Sequence, residues 1–286
     1  MTTAAIDRSI DRATAAPGHG VVELTKVGAR TIASRCAATS PLKLLQPRAN
    51  RGCAWIIAST YGGGLVDGDS IRLDVTAGPG TRCVLGTQAS TKVYRSPRHG
   101  CSQCLDISVG RDAIALVAPD PIVCYAGACF EQRQRFDLAD GAGLVMIDWL
   151  SSGRWACGER WAFDGYRSDT LVAMNGKPIF RDVTLLNPAD GPIAGEMRMG
   201  KFDCFATLLV VGEALQEHAT RLLSFVSEQP APAVGAPLLF AASPVEGGGV
   251  VVRIAGPGAE AVGRWMRQLV SFVIEIVGDD PWARKW

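Results

Sequence analysis

Residues 59–95 read STYGGGLVDGDSIRLDVTAGPGTRCVLGTQASTKVYR, and this stretch decides the fold. From Ser70 to Thr76 apolar residues alternate with polar ones, which predicts a half-buried strand. The apolar and β-branched run at 53–60 predicts a buried strand, and residues 81–87 predict another. Three glycines at 62–64 mark a bend or a close approach between the first two strands. Short strands divided by glycine-rich turns are typical of a mainly β fold.

The same stretch predicts a functional surface. Strands 70–76 and 81–87 are joined by Gly78-Pro79-Gly80, so we expect them to pair as antiparallel neighbours. That pairing would place the turn at 62–69 beside the polar strand end at 87–94. Because polar residues at strand ends are where sites are usually built, we expect these two segments to form one functional surface or the mouth of a passage.

The remaining chain is rich in strands, and helices are predicted only in its last third. At 213–226 and at 259–277 apolar residues recur at helical spacing, which predicts two amphipathic helices. We expect a flexible tail at 1–20 and a single β-rich domain at 21–286, of which 202–286 forms a helix-containing C-terminal layer. Further strands are predicted at 21–27, 31–37, 43–47, 104–109, 113–117, 130–136, 144–148, 155–163, 166–174, 179–186, 238–242 and 250–254.

Composition limits the class of partner. The chain has 286 residues, 48% of them hydrophobic, which is enough for a large core. Its formal net charge is +1, from 29 basic and 28 acidic residues, so no net field favours nucleic acid or an anionic membrane. Nine cysteines without the dense spacing of a small secreted scaffold indicate a reducing compartment. Because no signal-peptide pattern and no membrane-spanning apolar run is visible, we expect a soluble cytoplasmic protein.

Signals for catalysis are weak. Residues 86–92, GTQASTK, superficially resemble a phosphate loop, but they lack the glycine before the lysine and the hydroxyl residue after it. Of the three histidines, His99 lies in a polar loop and His218 lies on the apolar face of a predicted helix, where a packing role is expected. The enzymatic alternative is a small-molecule enzyme with its pocket at Thr87–Tyr94, in which Lys92 acts as a base or an anion ligand.

Four segments together carry a family resemblance. They are GGGLVDGDSI at 62–71, TQASTKVYRS at 87–96, PDP at 119–121 and SGRWACGERW at 152–161. In this order and at these separations they resemble the urease accessory proteins of the UreD type, also called UreH. The wording DWLSSGR, which begins at Asp148, is closer to the plant and fungal branch, because a glutamate and LGR are usual in the common bacterial form.

The resemblance implies a fold and a function. The fold would consist of layered β-sheets in a β-helix-like stack, with a small C-terminal layer containing two amphipathic α-helices. The protein would be a non-catalytic scaffold, or metallochaperone component, that binds apo-urease and accessory proteins of the UreF and UreG types, the latter a GTPase. It would assist Ni²⁺ delivery during urease maturation. No tightly bound cofactor is expected, and Ni²⁺ would be held only transiently.

Four carboxylates in the matching segments are candidates for holding Ni²⁺ in transit, and a fifth, Asp148, is shorter than the glutamate usual in the family. Asp67, Asp69, Asp120 and Glu159 offer oxygen ligands, which release a metal ion more readily than a thiolate cage does. A structural alternative exists for three of them. The first two aspartates could cap turns, and Glu159 could form an ion pair with Arg154.

Lys92 connects the acidic turn with the polar strand end. Either Asp67 or Asp69 pairs with Lys92 in a structural ion pair, or the carboxylates hold an ion whose charge Lys92 offsets. The candidate functional surface as a whole comprises Gly62, Gly63, Gly64, Asp67, Gly68, Asp69, Thr87, Gln88, Lys92, Tyr94, Pro119, Asp120, Pro121, Gly153, Arg154, Gly158 and Glu159.

A weaker metal signal lies between the second and third segments. His99, Cys101 and Cys104 have the spacing of half a closed metal site. A closed zinc site needs four ligands, and the sequence supplies no second half nearby. The alternative is a loop with incidental thiols, and the pair lies outside the family resemblance.

Overall fold

The computed structural model describes residues 16–47, 52–233 and 235–282. Strands dominate these ranges, and the helices come late in the chain, as the sequence predicts. The strands are β1 (His19–Val27), β2 (Arg30–Ala38), β3 (Leu42–Leu45), β4 (Ala54–Thr60), β5 (Ser70–Ala77), β6 (Arg82–Thr87), β7 (Thr91–Val93), β8 (Cys101–Val109), β9 (Ile114–Val117), β10 (Ile122–Cys124), β11 (Cys129–Leu138), β12 (Gly143–Ser151), β13 (Gly165–Met174), β14 (Lys177–Leu186), β15 (Cys204–Val211), β16 (Leu239–Val245) and β17 (Gly249–Gly256). The helices are α1 (Gln216–Ser227), α2 (Ala259–Leu269) and α3 (Val273–Val277).

Between β4 and β13 the chain passes repeatedly from one of two stacked sheets to the other, so it coils. The seven-stranded sheet has the order β14-β13-β11-β8-β5-β1-β2. The ten-stranded sheet has the order β16-β17-β15-β12-β9-β6-β4-β3, and β10 lies beside β12 and β7. Neighbours within the coil are parallel, as in β5 with β8 and in β6 with β9. Each coil contributes one strand to each sheet, which confirms the predicted mainly β, β-helix-like stack.

The predicted hairpin between β5 and β6 is wrong. β5 lies in the seven-stranded sheet and β6 in the ten-stranded sheet, so the Gly78–Gly80 turn carries the chain between sheets. Other coils fix this turn: the Gly78 N–H donates to Leu24 O (2.9 Å), and the Gly80 N–H donates to Arg111 O (2.8 Å). The two strands also need different surroundings, because most of β6 is buried whereas β5 exposes one face.

The predicted strand at 155–163 is also wrong. The segment forms a single 3-10 turn, Trp155–Cys157, followed by irregular backbone. Gly158 (φ 74°) and Trp161 (φ 53°) adopt left-handed conformations that interrupt a strand. The apolar pattern that suggested a strand arises because Trp161 and Phe163 are buried beside the turn.

The C-terminal helices cover the outer face of the ten-stranded sheet. α1 confirms the helix predicted at 213–226, whereas the helix predicted at 259–277 is divided into α2 and α3. The division falls at Val270, whose backbone leaves the helical region (φ −104°, ψ 21°) while its side chain stays buried. α1 and α2 pack on β15 and β17, so this sheet is buried on both faces.

The first strand begins inside the predicted tail. β1 starts at His19, whose N–H donates to Thr39 Oγ1 (3.0 Å) and whose Nε2 lies 2.6 Å from Asp74 Oδ2. The last residues of the predicted tail are therefore anchored to the seven-stranded sheet. Residues 1–15, which make up most of that tail, lie outside the described residues.

The two-sided burial of the ten-stranded sheet yields a stability prediction. Leu208 on β15 is fully buried under the helices, so Leu208→Ala should lower the free energy of unfolding by about 2–5 kcal/mol. Leu185 on β14 is 57% exposed, and Leu185→Ala should change it by less than about 0.5 kcal/mol. Chemical denaturation of both variants measures the difference, and equal effects would contradict this account of the core.

Candidate functional site

A cavity of about 360 Å³ lies between the two sheets. Side chains from both sheets line it, Gln103 and Gln132 on one side and Leu85 and Asp148 on the other. The segments at its mouth include Gly63–Leu65 and Thr87–Lys92. The cavity therefore starts at the predicted surface and extends into the protein.

The mouth opens where the ten-stranded sheet is stepped. Loop 88–90 leads from β6 to β7, and loop 118–121 leads from β9 to β10. The parallel strands β7 and β10 are therefore both displaced from the strands β6 and β9 that precede them. The Asp120 N–H donates to Thr87 Oγ1 (2.7 Å), and the Thr91 N–H donates to Pro121 O (3.1 Å). These bonds tie the two loops to each other and place Asp120, between its prolines, at the mouth.

The glycine turn lies beside the polar strand end, although not through the predicted hairpin. The Leu65 N–H donates to Lys92 O (2.8 Å), and the Tyr94 N–H donates to Leu65 O (2.9 Å). A Cβ on Gly64 would lie 2.7 Å from Lys92 O and 2.6 Å from Tyr94 Cε2. Gly64 is thus required by close approach, and Gly62 and Gly63 adopt positive φ angles of 89° and 71°.

Asp67 and Asp69 shape the turn. Asp67 Oδ1 accepts hydrogen bonds from the N–H groups of His99 (2.8 Å) and Gly100 (3.0 Å), and the bond from His99 is the main cause that lowers the pKa of this carboxyl. Asp69 Oδ2 accepts a hydrogen bond from the Val66 N–H (2.9 Å). Among the described residues neither aspartate forms an ion pair with Lys92, so the capping alternative describes their contacts.

Arg154 and Glu159 form the ion pair that the structural alternative predicts. Glu159 Oε2 also accepts a hydrogen bond from the Ala126 N–H (3.2 Å), and Arg154 is the main cause that lowers the Glu159 pKa. The Arg154 guanidinium lies 4.4 Å from the Tyr125 ring centroid. Gly153 (φ 129°) and Gly158 (φ 74°) permit the turn that brings these groups together.

Asp148 is a carboxyl group of the cavity lining that lies between the two sheets. Its Oδ1 accepts a hydrogen bond from Gln132 Nε2 (3.0 Å), and its Oδ2 accepts one from Ser168 Oγ (3.1 Å). Burial between the sheets is the main cause that raises the pKa of this carboxyl. What exposure Asp148 retains is toward the cavity, which it lines.

Polar side chains continue beyond this carboxylate. Thr207 is the register partner of Asp148 on β15, and its Oγ1 donates to Asp182 Oδ2 (3.3 Å). Asp182 in turn forms an ion pair with Arg253 (2.9 Å), which is 55% exposed. A line of polar groups therefore leads from the cavity across the gap between the sheets to the protein surface.

The donor set of the cavity is dominated by oxygen. Its polar lining comprises Ser59, Thr60, Thr87, Gln88, Ser90, Thr91, Lys92, Gln103, Cys104, Asp120, Gln132, Gln134 and Asp148. Within the described ranges, no group of three or more histidine, cysteine, aspartate or glutamate residues is placed to hold a metal ion. Such a lining offers weak, exchangeable contacts to a hard or borderline cation rather than a closed site.

The weaker metal candidates do not converge. Cys101 points inward and donates to Val66 O (3.2 Å), whereas Cys104 accepts a hydrogen bond from Arg133 Nη2 (3.1 Å) on the opposite face. Residues three apart on a strand face opposite sides, so these thiols cannot share one ion. β8 begins at Cys101, three residues before the predicted strand at 104–109, so both thiols lie on a strand and not in the loop that the alternative assumed.

The sequence analysis missed the interior glutamines. Gln132 and Gln134 on β11 occupy the same face as Phe130 and Phe136 and are equally buried. Gln134 Nε2 donates to Thr170 Oγ1 (3.2 Å) on β13. The signal was present in the stretch FEQRQRF, where two amides fall in phase with two buried aromatics.

The family model described as UreD urease accessory protein matches residues 16–286. The chain belongs to the UreD family of urease accessory proteins. A urease accessory protein UreD of Sorangium cellulosum is 44% identical over 94% of this chain and 84% of the relative. One of Anaeromyxobacter is 42% identical over 93% and 89%, and urease accessory protein D of Arabidopsis thaliana is 35% identical over 92% and 99%.

These relatives qualify the motif comparison within the UreD family. Both bacterial relatives are more identical to this chain than the plant relative is. The motif at Asp148–Arg154 therefore resembles the plant and fungal branch, whereas the sequence identity over the whole chain is higher with the two bacterial relatives. As a UreD family member the chain is a urease accessory protein and not a urease. None of its described helices has the length and apolar character needed to cross a membrane.

The close approach at Gly64 yields a prediction about the mouth. Gly64→Ala should lower the free energy of unfolding by about 1–3 kcal/mol, because the new Cβ would overlap the Lys92 carbonyl. Gly165→Ala is the matched control, since a Cβ there meets only Cys129 Sγ at 3.5 Å, an ordinary contact. Urea denaturation measures both, and equal stability of the two variants would show that the turn is looser than described.

The buried carboxylate yields a pH-dependent prediction. Because the folded protein holds Asp148 with a raised pKa, it retains this proton at pH values where the unfolded chain has lost it. The contribution of Asp148 to stability should therefore fall as pH rises above about 4, the value for an unfolded aspartate. Asp148→Asn removes that loss.

The measurement is the free energy of unfolding of Asp148→Asn and wild type across this range. The difference in favour of the variant should grow as pH rises and then level off. A difference that shrinks with rising pH would mean that the carboxylate is stabilised in its charged form.

Proposed function

We propose that this protein is a non-catalytic scaffold of urease maturation through which Ni²⁺ passes on its way to apo-urease. It binds apo-urease and accessory proteins of the UreF and UreG types, and the GTPase among them supplies nucleotide chemistry. It acts in the cytoplasm, without a tightly bound cofactor and without a nucleic-acid or membrane partner. Nickel is its cargo and is held only transiently.

The oxygen-lined cavity between the sheets carries this proposal. Family motif residues form its mouth, and Asp148 supplies a carboxylate near its inner end. Six waters around a divalent ion occupy about 180 Å³ at the volume of liquid water, so the cavity of about 360 Å³ accommodates a hydrated ion. A hydrated ion can therefore enter the cavity without losing its whole hydration shell.

The cost of the polar interior supports a role in transport. Burying Gln132, Gln134 and Asp148 inside an otherwise apolar gap is unfavourable relative to leucine or valine at the same positions. Gln132 and Asp148 bond each other and Gln134 bonds Thr170, but leucine or valine at these positions would need no such partners. A cation passing between the sheets does require acceptor oxygens, which amide carbonyls and a carboxylate provide.

The residues present favour transit over storage. At rest the Asp148 oxygens accept hydrogen bonds from Gln132 and Ser168, and a passing cation competes with these donors for the same oxygens. Once the cation leaves, Gln132 and Ser168 restore their bonds to Asp148. With single carboxylates spaced along the path instead of clustered ligands, each contact is weak enough to release the ion.

The enzymatic alternative has less support. A pocket does lie at Thr87–Tyr94, but no histidine is among the described residues that line it. Lys92 is exposed at the mouth, where the desolvation that would make it a base is absent. The comparison with urease accessory proteins also favours the scaffold.

The proposal is tested by co-expressing the chain with urease and its accessory partners and measuring nickel in purified urease by mass spectrometry. Asp148→Asn should lower the nickel content at least about threefold, because an amide cannot compensate the charge of the ion. Complex formation with urease should be unchanged, since the side chain is enclosed.

Asp137→Asn is the matched control. Asp137 lies on the exposed face of β11, away from the cavity. Its replacement by asparagine removes the same charge, so urease should keep its wild-type nickel content. Wild-type nickel in urease matured with Asp148→Asn would overturn the conduit and leave the cavity with a structural role.

A further inference from the structure

The polar interior continues beyond the cavity in both sheets. In the ten-stranded sheet Asp148 on β12 is the register partner of Thr207 on β15, and Thr207 is the register partner of Arg253 on β17. Neighbouring strands lie about 4.8 Å apart, so this row of side chains runs across the strands and not along one of them. Its last member, Arg253, is 55% exposed, so the row ends at the protein surface.

The seven-stranded sheet contributes a second row on the other side of the gap. Gln134 on β11 is the register partner of Thr170 on β13, and Thr170 is the register partner of Asp182 on β14, the edge strand of this sheet. Gln134 Nε2 donates to Thr170 Oγ1 (3.2 Å). The six residues of the two rows are called here the polar band: Asp148, Thr207, Arg253, Gln134, Thr170 and Asp182.

Apolar side chains border the polar band on both sides. One apolar cluster in the gap contains Phe136 and Val172, and a separate cluster contains Phe130 and Tyr166. The band passes between them, because Gln134 lies between Phe130 and Phe136 on the same face of β11. It therefore divides the core in two at a cost in stability, since buried polar groups are less favourable there than apolar ones.

The cavity reaches one end of the polar band. Gln134 and Asp148 line the cavity, whereas none of the described residues of β13, β14, β15 and β17 does. Beyond these two residues the band is therefore filled by its own side chains. Burial is the main cause that raises the Asp148 pKa, and the charge of Asp182 adds to it, so the carboxylates at the cavity and at the sheet edge are close enough to interact.

An ion pair closes the other end of the polar band. Asp182 Oδ2 accepts a hydrogen bond from Thr207 Oγ1 (3.3 Å), and Asp182 Oδ1 accepts one from Arg253 Nη2 (2.9 Å). The partners of the ion pair belong to different sheets, so the Arg253 side chain spans the edge of the gap. Arginine keeps its charge at physiological pH, and in this position it neutralises Asp182 and repels a cation.

The ion pair lies where it can open. The Arg253 side chain is half exposed, and water and salt weaken ion pairs at such positions. Once the guanidinium turns into solvent, Asp182 and Thr207 present oxygen atoms at the sheet edge, in line with Asp148. The polar band then offers acceptor oxygens for a cation from the cavity to the surface.

We infer that the polar band is the second end of the conduit and that the Asp182–Arg253 ion pair is its gate. The inference rests on the proposed function, because it needs an ion in the cavity. The ion crosses the sheet edge while Arg253 is turned toward solvent, and Asp182 is the carboxylate that it contacts there. While the ion pair is formed, this end of the conduit is closed.

The structural alternative is that the ion pair only fastens β14 to the other sheet. A second ion pair at the same edge provides the comparison. Lys177 at the start of β14 pairs with Glu246 (2.5 Å) in the turn between β16 and β17, and both residues are exposed. Lys177 lies about 17 Å from Asp182 along the strand, outside the polar band.

The test removes each charge of the gate separately. Variants of the full chain are combined with apo-urease, the accessory partners, GTP and Ni²⁺, and nickel in re-isolated urease is measured over time by mass spectrometry. Asp182→Asn should lower the initial rate of nickel incorporation at least about threefold, because the route loses a carboxylate. Arg253→Gln should raise this rate about twofold or more, because the charge that closes the gate is gone. Both variants break the ion pair, so a purely structural pair predicts equal effects.

The second ion pair supplies the matched controls. Glu246→Gln and Lys177→Gln remove one negative and one positive charge at the same edge, and both should keep the wild-type rate. Chemical denaturation shows whether each variant is folded. If Asp182→Asn does not fold, Thr207→Val replaces it, since valine keeps the shape of the side chain and removes an oxygen from the polar band. It should lower the rate in the same direction.

The direction of the two effects decides between gate and fastener. A lower rate for Asp182→Asn and a higher rate for Arg253→Gln, with both controls unchanged, support the gate. Changes in the same direction, or no change in either variant, would overturn it. A change caused equally by the controls would also overturn it, because the effect would then belong to the edge as a whole.

Asp148→Asn distinguishes failure of the gate from failure of the conduit. If Asp148→Asn lowers nickel in urease while the gate variants do not change the rate in opposite directions, the conduit stands and its second end lies elsewhere. If Asp148→Asn delivers nickel normally, the conduit fails and the gate fails with it.

Discussion

The alternation of successive strands between two sheets is the constraint on which the rest of the structure depends. Parallel neighbours cannot be joined by a tight turn, so between β4 and β13 the chain crosses to the other sheet before it returns to the first. Loops that follow the strands of one sheet therefore collect at one edge. Thr87 and Asp120, thirty-three residues apart, meet at 2.7 Å for this reason. The helices on the far face confine the solvent-accessible polar groups of that sheet to the gap and its mouth.

The fold class follows from the sequence because period-two alternation and glycine turns are local signals. Strand β5 shows this, with Ile71, Leu73 and Val75 inward and Arg72 outward. Those signals do not show which of the two sheets the next strand joins. Gly78-Pro79-Gly80 marks a change of direction equally well for a hairpin and for a crossover between sheets. The choice is made by distant coils, through the carbonyls of Leu24 and Arg111.

The candidate site likewise has one part that the sequence predicts, its mouth, and one part that it does not, its interior. Its mouth could be predicted from the sequence because glycine and proline record unusual backbone, as Gly64 does against Lys92. Its interior could not, because the environment of Asp148 is set by side chains on two other strands, Gln132 and Ser168. The capping roles of the acidic turn were foreseeable as alternatives. The choice between capping and an ion pair with Lys92 depends on the backbone N–H groups of a neighbouring loop, which for Asp67 are those of His99 and Gly100.

The order of strands along the coil has a consequence for the nascent chain. The mouth is complete in sequence before Asp148 has been made, but Ser168 and the strand β15, which pairs with β12, follow later. Until then the ribosome-bound coil ends in an apolar strand with an open edge, which is a template for aggregation. At about 5–20 residues per second, translation from residue 152 to residue 211 leaves that edge unpaired for roughly 3–12 s. During this interval the edge of β12 is open to pairing with other chains.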